Sequence, residues 1–175
     1  MNIYYNYGFF SNHDKLTDTG VARFRGVEIM IRKKLARDSY GLASTAYFRS
    51  QYKSEDGVCR NRSFDNRMLF SLEGGYKPNY RWEFSMRWIY AGGAPYTPFD
   101  NEASKMHHRT VFDEAQINEA RYSDYHSMNI RFDRRFHFSG SNLIFYLSVW
   151  NVYDRKNIAG YFWNDAERKQ DQIYQ

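Results

Sequence analysis

A chain of 175 residues, 26% of them charged and with a mean hydropathy of −0.80, is long enough for one domain with a sizeable core. It has no run of about 18 apolar residues, which excludes a transmembrane helix, but strands need only about 9–11 residues to cross a membrane, and 16 Tyr and 14 Phe favour strands and interfaces. The net charge of +5 is spread along the chain with carboxylates between the cations, so no nucleic acid is expected as a partner, and 3 Pro and 11 Gly read against disorder.

The opening MNIYYNYGFF lacks the basic start and apolar run of a signal peptide, which points to part of a longer chain. Residues 2–10 are expected as a strand with Ile3, Tyr5, Tyr7 and Phe9 on one side. Residues 21–35 give the next, with Val27, Ile29 and Ile31 facing one way and Glu28, Met30 and Arg32 the other. After a short turn at 36–39 comes a strand over 40–52, whose facing is left open by small, mixed residues. The polar loop 53–66 holds Cys59, the one cysteine, which has no partner within the chain for a disulfide. Residues 67–76 place Met68, Phe70 and Leu72 on one face, and Pro78-Asn79 marks a turn over 77–80.

Residues 81–91 alternate most sharply, with Trp82, Phe84, Met86, Trp88 and Tyr90 against Glu83, Ser85, Arg87 and Ile89. A long irregular stretch, 92–121, leads to a hairpin: a strand from Tyr122, a tight turn at Ser139-Gly140-Ser141, and a second strand to Trp150. Met128, Ile130 and Phe132 share one face of its first strand, and Leu143, Phe145, Leu147 and Val149 one face of its second. A polar loop follows Asn151, and residues 173–175 read as the start of a further strand.

The connections alternate long and short, so in an up-and-down meander all tight turns lie at one end and all long loops at the other. Outer-membrane barrels have this asymmetry. Tyr40, Tyr76, Tyr80, Trp82, Phe136 and Phe138 gather at the short-turn ends; Tyr52, Tyr90, Tyr122, Tyr125, Trp150 and Tyr153 gather at the long-loop ends. Such rings settle at the two membrane–water interfaces, although strands favour aromatics in any setting. Arg134 interrupts the apolar face between Phe132 and Phe136; near the tight turn it can snorkel to the interface. Alternation does not say which face is inside. A soluble ligand-binding barrel with the apolar face inward therefore stays open, as does a self-contained small outer-membrane barrel of structural or hydrolytic role.

The segment RWEFSMRWIYAGGAPYTPFD, followed by MNIRFDRRFHFSGSNLIFYLSVWNVYDRKNIAGYFWN, resembles the C-terminal part of TonB-dependent outer-membrane receptors. The features that carry the likeness are a Trp-led strand running into Gly-Gly-x-Pro-Tyr-Thr-Pro, a strand ending Asp-Arg-Arg-Phe, and the Asn-Val-Tyr-Asp-Arg-Lys-Asn ending of the next. GVARFRGVEIMIRKKL upstream is similar to the family's recurring strand with Gly-Val-Glu at its centre. The resemblance implies an all-β antiparallel meander from a 22-stranded transmembrane barrel plugged by an N-terminal domain. It implies import of a scarce nutrient (a ferric siderophore, cobalamin, or an oligosaccharide or peptide) with energy relayed by TonB. The partners implied are outer-membrane lipid, the small nutrient, and the TonB complex through an N-terminal region outside this sequence. The plug and the final strand with its terminal aromatic are lacking, so the chain is expected as an excerpt of the barrel.

Five residues that open the longest loop, Gly92, Gly93, Pro95, Tyr96 and Thr97, are candidates to line the ligand entrance; the alternative is that they redirect the chain at the rim. Glu28, Arg32, Glu83, Arg87, Arg131 and Asp133 are expected as a ladder of lumen charges that satisfy one another and the plug. His107-His108 with Asp113 and Glu114 has metal-binding residue types without a third spaced ligand, so no metal site is assigned. Asp124 and His126 share a strand face while Ser127 points to the other, which makes no triad. No catalytic residue and no cofactor is expected.

Overall fold

Runs in which aromatic and β-branched residues alternate with polar ones are drawn into long strands. A computed structural model, which describes residues 20–175, shows what they build. In sequence come β1 (Val21–Ala36), β2 (Ser39–Lys53), the short β3 (Cys59–Asn61), β4 (Met68–Asn79) and β5 (Trp82–Ala91). Then follow β6 (Pro95–Tyr96), the helix α1 (Asn101–His107), β7 (Ala120–Arg121), β8 (Tyr125–Phe138), β9 (Ser141–Val149), β10 (Ile158–Asn164) and β11 (Lys169–Tyr174). The main sheet is an antiparallel meander in the order β1-β2-β4-β5-β8-β9, with β3 on an arm of β2. The expected all-β meander is therefore present. Among the described residues the sheet is open, with β1 and β9 as its edges; the expected strand at 2–10 lies outside those residues.

The tight turns follow from their residues. Arg37 and Asp38 both take positive φ (48° and 65°), the pairing a two-residue turn needs to match strand twist. Gly140, at φ 85°, closes β8 onto β9. The turn expected over 77–80 is displaced: β4 continues through Asn79, and Tyr80-Arg81 makes the reversal. Asn79 fixes it there, because its side-chain oxygen accepts from the Arg81 and Trp82 amides at 2.9 and 3.1 Å.

Register carries one largely apolar face across all six long strands, interrupted toward the long-loop ends of β1 and β2 by Arg23, Arg25 and Arg49. Ile29 stands opposite Thr45, Thr45 opposite Phe70, Phe70 opposite Tyr90, and Tyr90 opposite His126. Nearer the tight turns, Tyr76 faces Phe84, Phe84 faces Phe132, and Phe132 faces Leu147. The facing of β2, ambiguous from sequence, is thereby settled: Ala43, Thr45 and Tyr47 join the apolar side. The opposite face carries Ser44, Ser71, Glu73, Ser85, Arg87, Asn129, Arg131, Asp133 and Ser148, with Leu42 and Ile89 among them.

Among the described residues, nothing covers the apolar face. Ile31 is 69% exposed, Phe145 59% and Phe84 47%, whereas Glu83 and Asp133 on the polar face are 8% and 4% exposed. Among the described residues, the buried hydrophobic side chains are Phe99 and Trp163, both beyond the sheet at the long-loop end. The usual arrangement of a water-soluble domain is thus reversed.

Two further expectations are corrected. The stretch 92–121 is not irregular throughout, since it holds α1 and the β6–β7 pair. Asp100 starts that helix by accepting the Ala103 amide at 2.9 Å, a cap signal present in the sequence and hidden by the flanking Pro98. The polar stretch after Asn151 contains a hairpin, β10–β11, and residues near 173 end it. Ile158, Tyr161, Phe162 and Trp163 on one strand and Ile173 and Tyr174 on the other carry its pattern, so short apolar cues were masked by the charged turn between them.

Candidate functional site

The polar face gathers its charges near the tight turns. Glu83 on β5 sits directly opposite Asp133 on β8, a placement that repels unless cations intervene. They do intervene. Glu83 accepts from Arg135 at 2.6 Å, Tyr40 at 2.7 Å and Lys77 at 3.2 Å, while Arg131 grips Asp133 with Nη2 at 2.6 Å and Nε at 3.0 Å. The Arg131 guanidinium also lies 4.1 Å over the Tyr146 ring. The Tyr40 ring crosses Gly75, where a Cβ would stand 2.3 Å from it. Further along, Arg87 meets Glu73 across the β4–β5 pair at 3.0 Å. Of the six residues expected as a charge ladder, Glu83, Arg87, Arg131 and Asp133 are thus brought into ion pairs. Glu28 and Arg32, on the edge strand β1, have no ion-pair partner among the described residues.

At the other end the three long connections interlock. Asp65 is fully buried and accepts from the Ser50 amide and from Arg121, both at 2.6 Å. Arg121 also donates to the carbonyls of Asp65 and Gly93, so one guanidinium ties the β2–β4 and β5–β8 connections together. Asn61 and Asn118 exchange side-chain-to-backbone bonds at 3.3 and 2.8 Å across the same gap. The third connection is tied by Asn157, whose side chain bonds both the amide and the carbonyl of His126 at 3.1 Å, and by Arg155, which donates to the Asp124 carbonyl at 3.0 Å.

Here the Gly-Gly-x-Pro-Tyr-Thr-Pro run finds its place. Gly92 and Gly93 are buried against neighbouring backbone: a Cβ at Gly93 would stand 1.8 Å from the Tyr122 carbonyl, and one at Gly92 2.3 Å from that of Asn66. Pro95 is buried in the β6–β7 pair, and Thr97 accepts the Asn118 amide at 3.2 Å. Tyr96 stacks on Tyr122 with centroids 4.4 Å apart, and both touch Tyr161 of β10 at 5.1 and 5.2 Å. Burial, with neighbouring phenols, raises the Tyr122 and Tyr161 hydroxyls above their ordinary pKa. None of these three hydroxyls has a hydrogen-bond partner among the described residues, so the trio offers stacking faces and free polar tips at the mouth of the loops.

The other singled-out residues are dispersed. His108 takes a left-handed cap conformation after α1 and meets Asp165 at 3.0 Å; His107 stays exposed. Among the described residues, no group of three or more His, Cys, Asp or Glu is arranged as metal ligands. Asp124 accepts from Tyr90 at 2.7 Å and the Gly93 amide at 2.9 Å, His126 meets Tyr153 at 2.8 Å, and Ser127 is buried beside Asn129. Asp124, His126 and Ser127 are therefore each held by other partners and not by one another. Cys59 is a free, exposed thiol on β3.

Sequence reasoning passed over Asp65, Arg121 and Tyr161. Nothing about Asp65 in a polar loop signals burial; Arg155 and Asn157 did lie in a recognised motif, without an assigned role. Compared with family models, with curated proteins and with solved structures, the chain matches none.

Proposed function

We propose that this chain is the C-terminal part of the barrel of a TonB-dependent outer-membrane receptor, in which six of the strands form wall and the long connections form outer loops. The whole receptor imports a scarce nutrient, such as a siderophore, cobalamin, or an oligosaccharide or peptide, with energy relayed through TonB. The barrel has 22 strands and an N-terminal plug, as is usual for such transporters. One observation carries the reading: among the described residues the apolar face is bare from β1 to β9, while Glu83 and Asp133 on the polar face are buried. Each Val, Leu, Ile or Phe left in water forfeits about 1.5–3 kcal/mol. Summed over this half-exposed face, the loss is of the order of the entire stability of an ordinary domain, about 5–15 kcal/mol. Water is therefore the wrong solvent for it and hydrocarbon the right one. Aromatic rims at both ends (Tyr76, Tyr80 and Phe138 at one, Tyr47, Trp150 and Tyr153 at the other) suit the two interfaces. The resemblance of the Gly92–Pro98 and Asn151–Asn157 motifs supplies the receptor class.

Two measurements test it. An impermeant maleimide should label Cys59 on intact cells, because the reading puts β3 outside the cell. Deleting the protein should abolish uptake of one limiting nutrient, and inactivating TonB should abolish the same uptake. A thiol reactive only after lysis, or uptake indifferent to TonB, would contradict the proposal.

A further inference from the structure

Besides Arg23, Arg25 and Arg49, which lie on the same face of β1 and β2 toward the long loops, the apolar face carries a cation set among rings at the tight-turn end. Arg134 stands on β8 between Phe132 and Phe136, opposite Trp82 on β5 and Phe145 on β9. Its guanidinium lies 3.8 Å over the Trp82 ring and 5.3 Å from that of Phe136. No carboxylate and no hydrogen-bond acceptor among the described residues meets it. The next residue, Arg135, points to the polar face and is held by Glu83 at 2.6 Å.

Register fixes the level of Arg134 along the strands. Its partner Trp82 is the first residue after the Tyr80-Arg81 turn, and the Arg135 amide donates to the Arg81 carbonyl at 2.8 Å. Arg134 is therefore level with the β4–β5 turn, although the β8–β9 hairpin runs on to Phe138. A charge on the lipid side of a barrel is costly at mid-bilayer and nearly free at the rim. At this rim the structure is basic: Lys33, Lys34 and Arg37 flank the first turn and Arg81 the second, with Asp38 as the opposing carboxylate. Aromatic rings cover the guanidinium, so its in-plane N–H fork is what remains to bind, and that fork matches a phosphate.

We propose that Arg134 is a headgroup site for an anionic phospholipid in the leaflet at the tight-turn rim. The proposal rests on the membrane reading above. Charge complementarity selects the occupant, since a lipid-facing cation with no internal acid draws its counter-charge from the bilayer.

The test uses the intact protein in nanodiscs of phosphatidylcholine with or without phosphatidylglycerol, and native mass spectrometry to count retained lipid. Retention of phosphatidylglycerol over phosphatidylcholine is expected, falling about fivefold in Arg134→Gln, the worth of one cation at a membrane surface. Arg134→Lys, which keeps the charge and loses the fork, should fall in between and carries the test if the Gln variant fails to insert. Equal retention in the wild type and the variants would overturn the site. Displacement of the lipid by millimolar inorganic phosphate would also overturn it, because the site would then serve a free anion. Co-flotation with the bilayer separates the two claims. A protein that floats without lipid preference sinks this site alone, and one that stays out of the bilayer sinks the membrane reading with it.

Discussion

The two ends of the sheet solve opposite problems. At the tight-turn end the chain reverses in two residues, cations outnumber carboxylates, and what order there is comes from strand pairing with the Glu83 and Asp133 clusters on the polar face. At the long-loop end the carboxylates Asp100, Glu102, Asp113, Glu114, Glu119 and Asp124 crowd one connection, and order comes from single residues that bridge distant segments. Removing a side chain should therefore be local and mild at the first end and delocalised and severe at the second. Under the proposed reading, rigid strands would hold the frame while the tied loops shape a ligand entrance.

The comparison can be broken most directly at Asp65. Asp65→Ala leaves Arg121 without its buried partner and should cost about 3 kcal/mol, seen as rapid proteolysis of the 54–67 and 92–124 connections with the sheet intact. Gly93→Ala forces a methyl group against the Tyr122 carbonyl and should cost about 1–3 kcal/mol, read by thermal unfolding. Asn157→Ala removes both bonds to His126 and should free the β10–β11 hairpin at a cost of about 1–2 kcal/mol, seen as faster amide exchange there.

Much of this frame was legible in the sequence. Period-2 patterning marked the long strands because their residues sit on a sheet with unlike faces, and the sharpest pattern, Trp82–Tyr90, gave the clearest element. The loop end was less so. Asp65 and Arg121 lie 56 residues apart and meet only because the register of β2, β4 and β5 sets two connections side by side. The tyrosine trio is likewise assembled from three segments. Spacing cannot show such contacts, whereas the Gly92-Gly93 pair stood out in sequence as lining an entrance or redirecting the chain, and the close backbone approach that requires glycine became evident only in three dimensions.

Smaller effects sharpen the same contrast. The phenols of Tyr122 and Tyr161 are raised above 10.0, first by burial and then by neighbouring phenols. Folding therefore favours their neutral forms; this stabilisation is complete below pH 10.0 and is lost as pH climbs through the folded-state values. Phenolate absorbance should accordingly rise later in the folded protein than in the unfolded chain. At the opposite end, Arg134→Gln gives up only ring contacts and should change stability by less than about 1 kcal/mol.

The central claim is that the apolar face meets hydrocarbon and the polar face meets water or a plug. Spin labels placed one at a time at Ile29, Leu72 and Leu147, and at Ser44, Ser71 and Ser148, report this in membranes through their accessibility to oxygen and to a water-soluble nickel chelate. The account predicts oxygen access without chelate access at the first three, and the reverse, or protection from both, at the second three. Chelate access at Ile29, Leu72 and Leu147, or their shielding from both reagents as in a packed core, would contradict it.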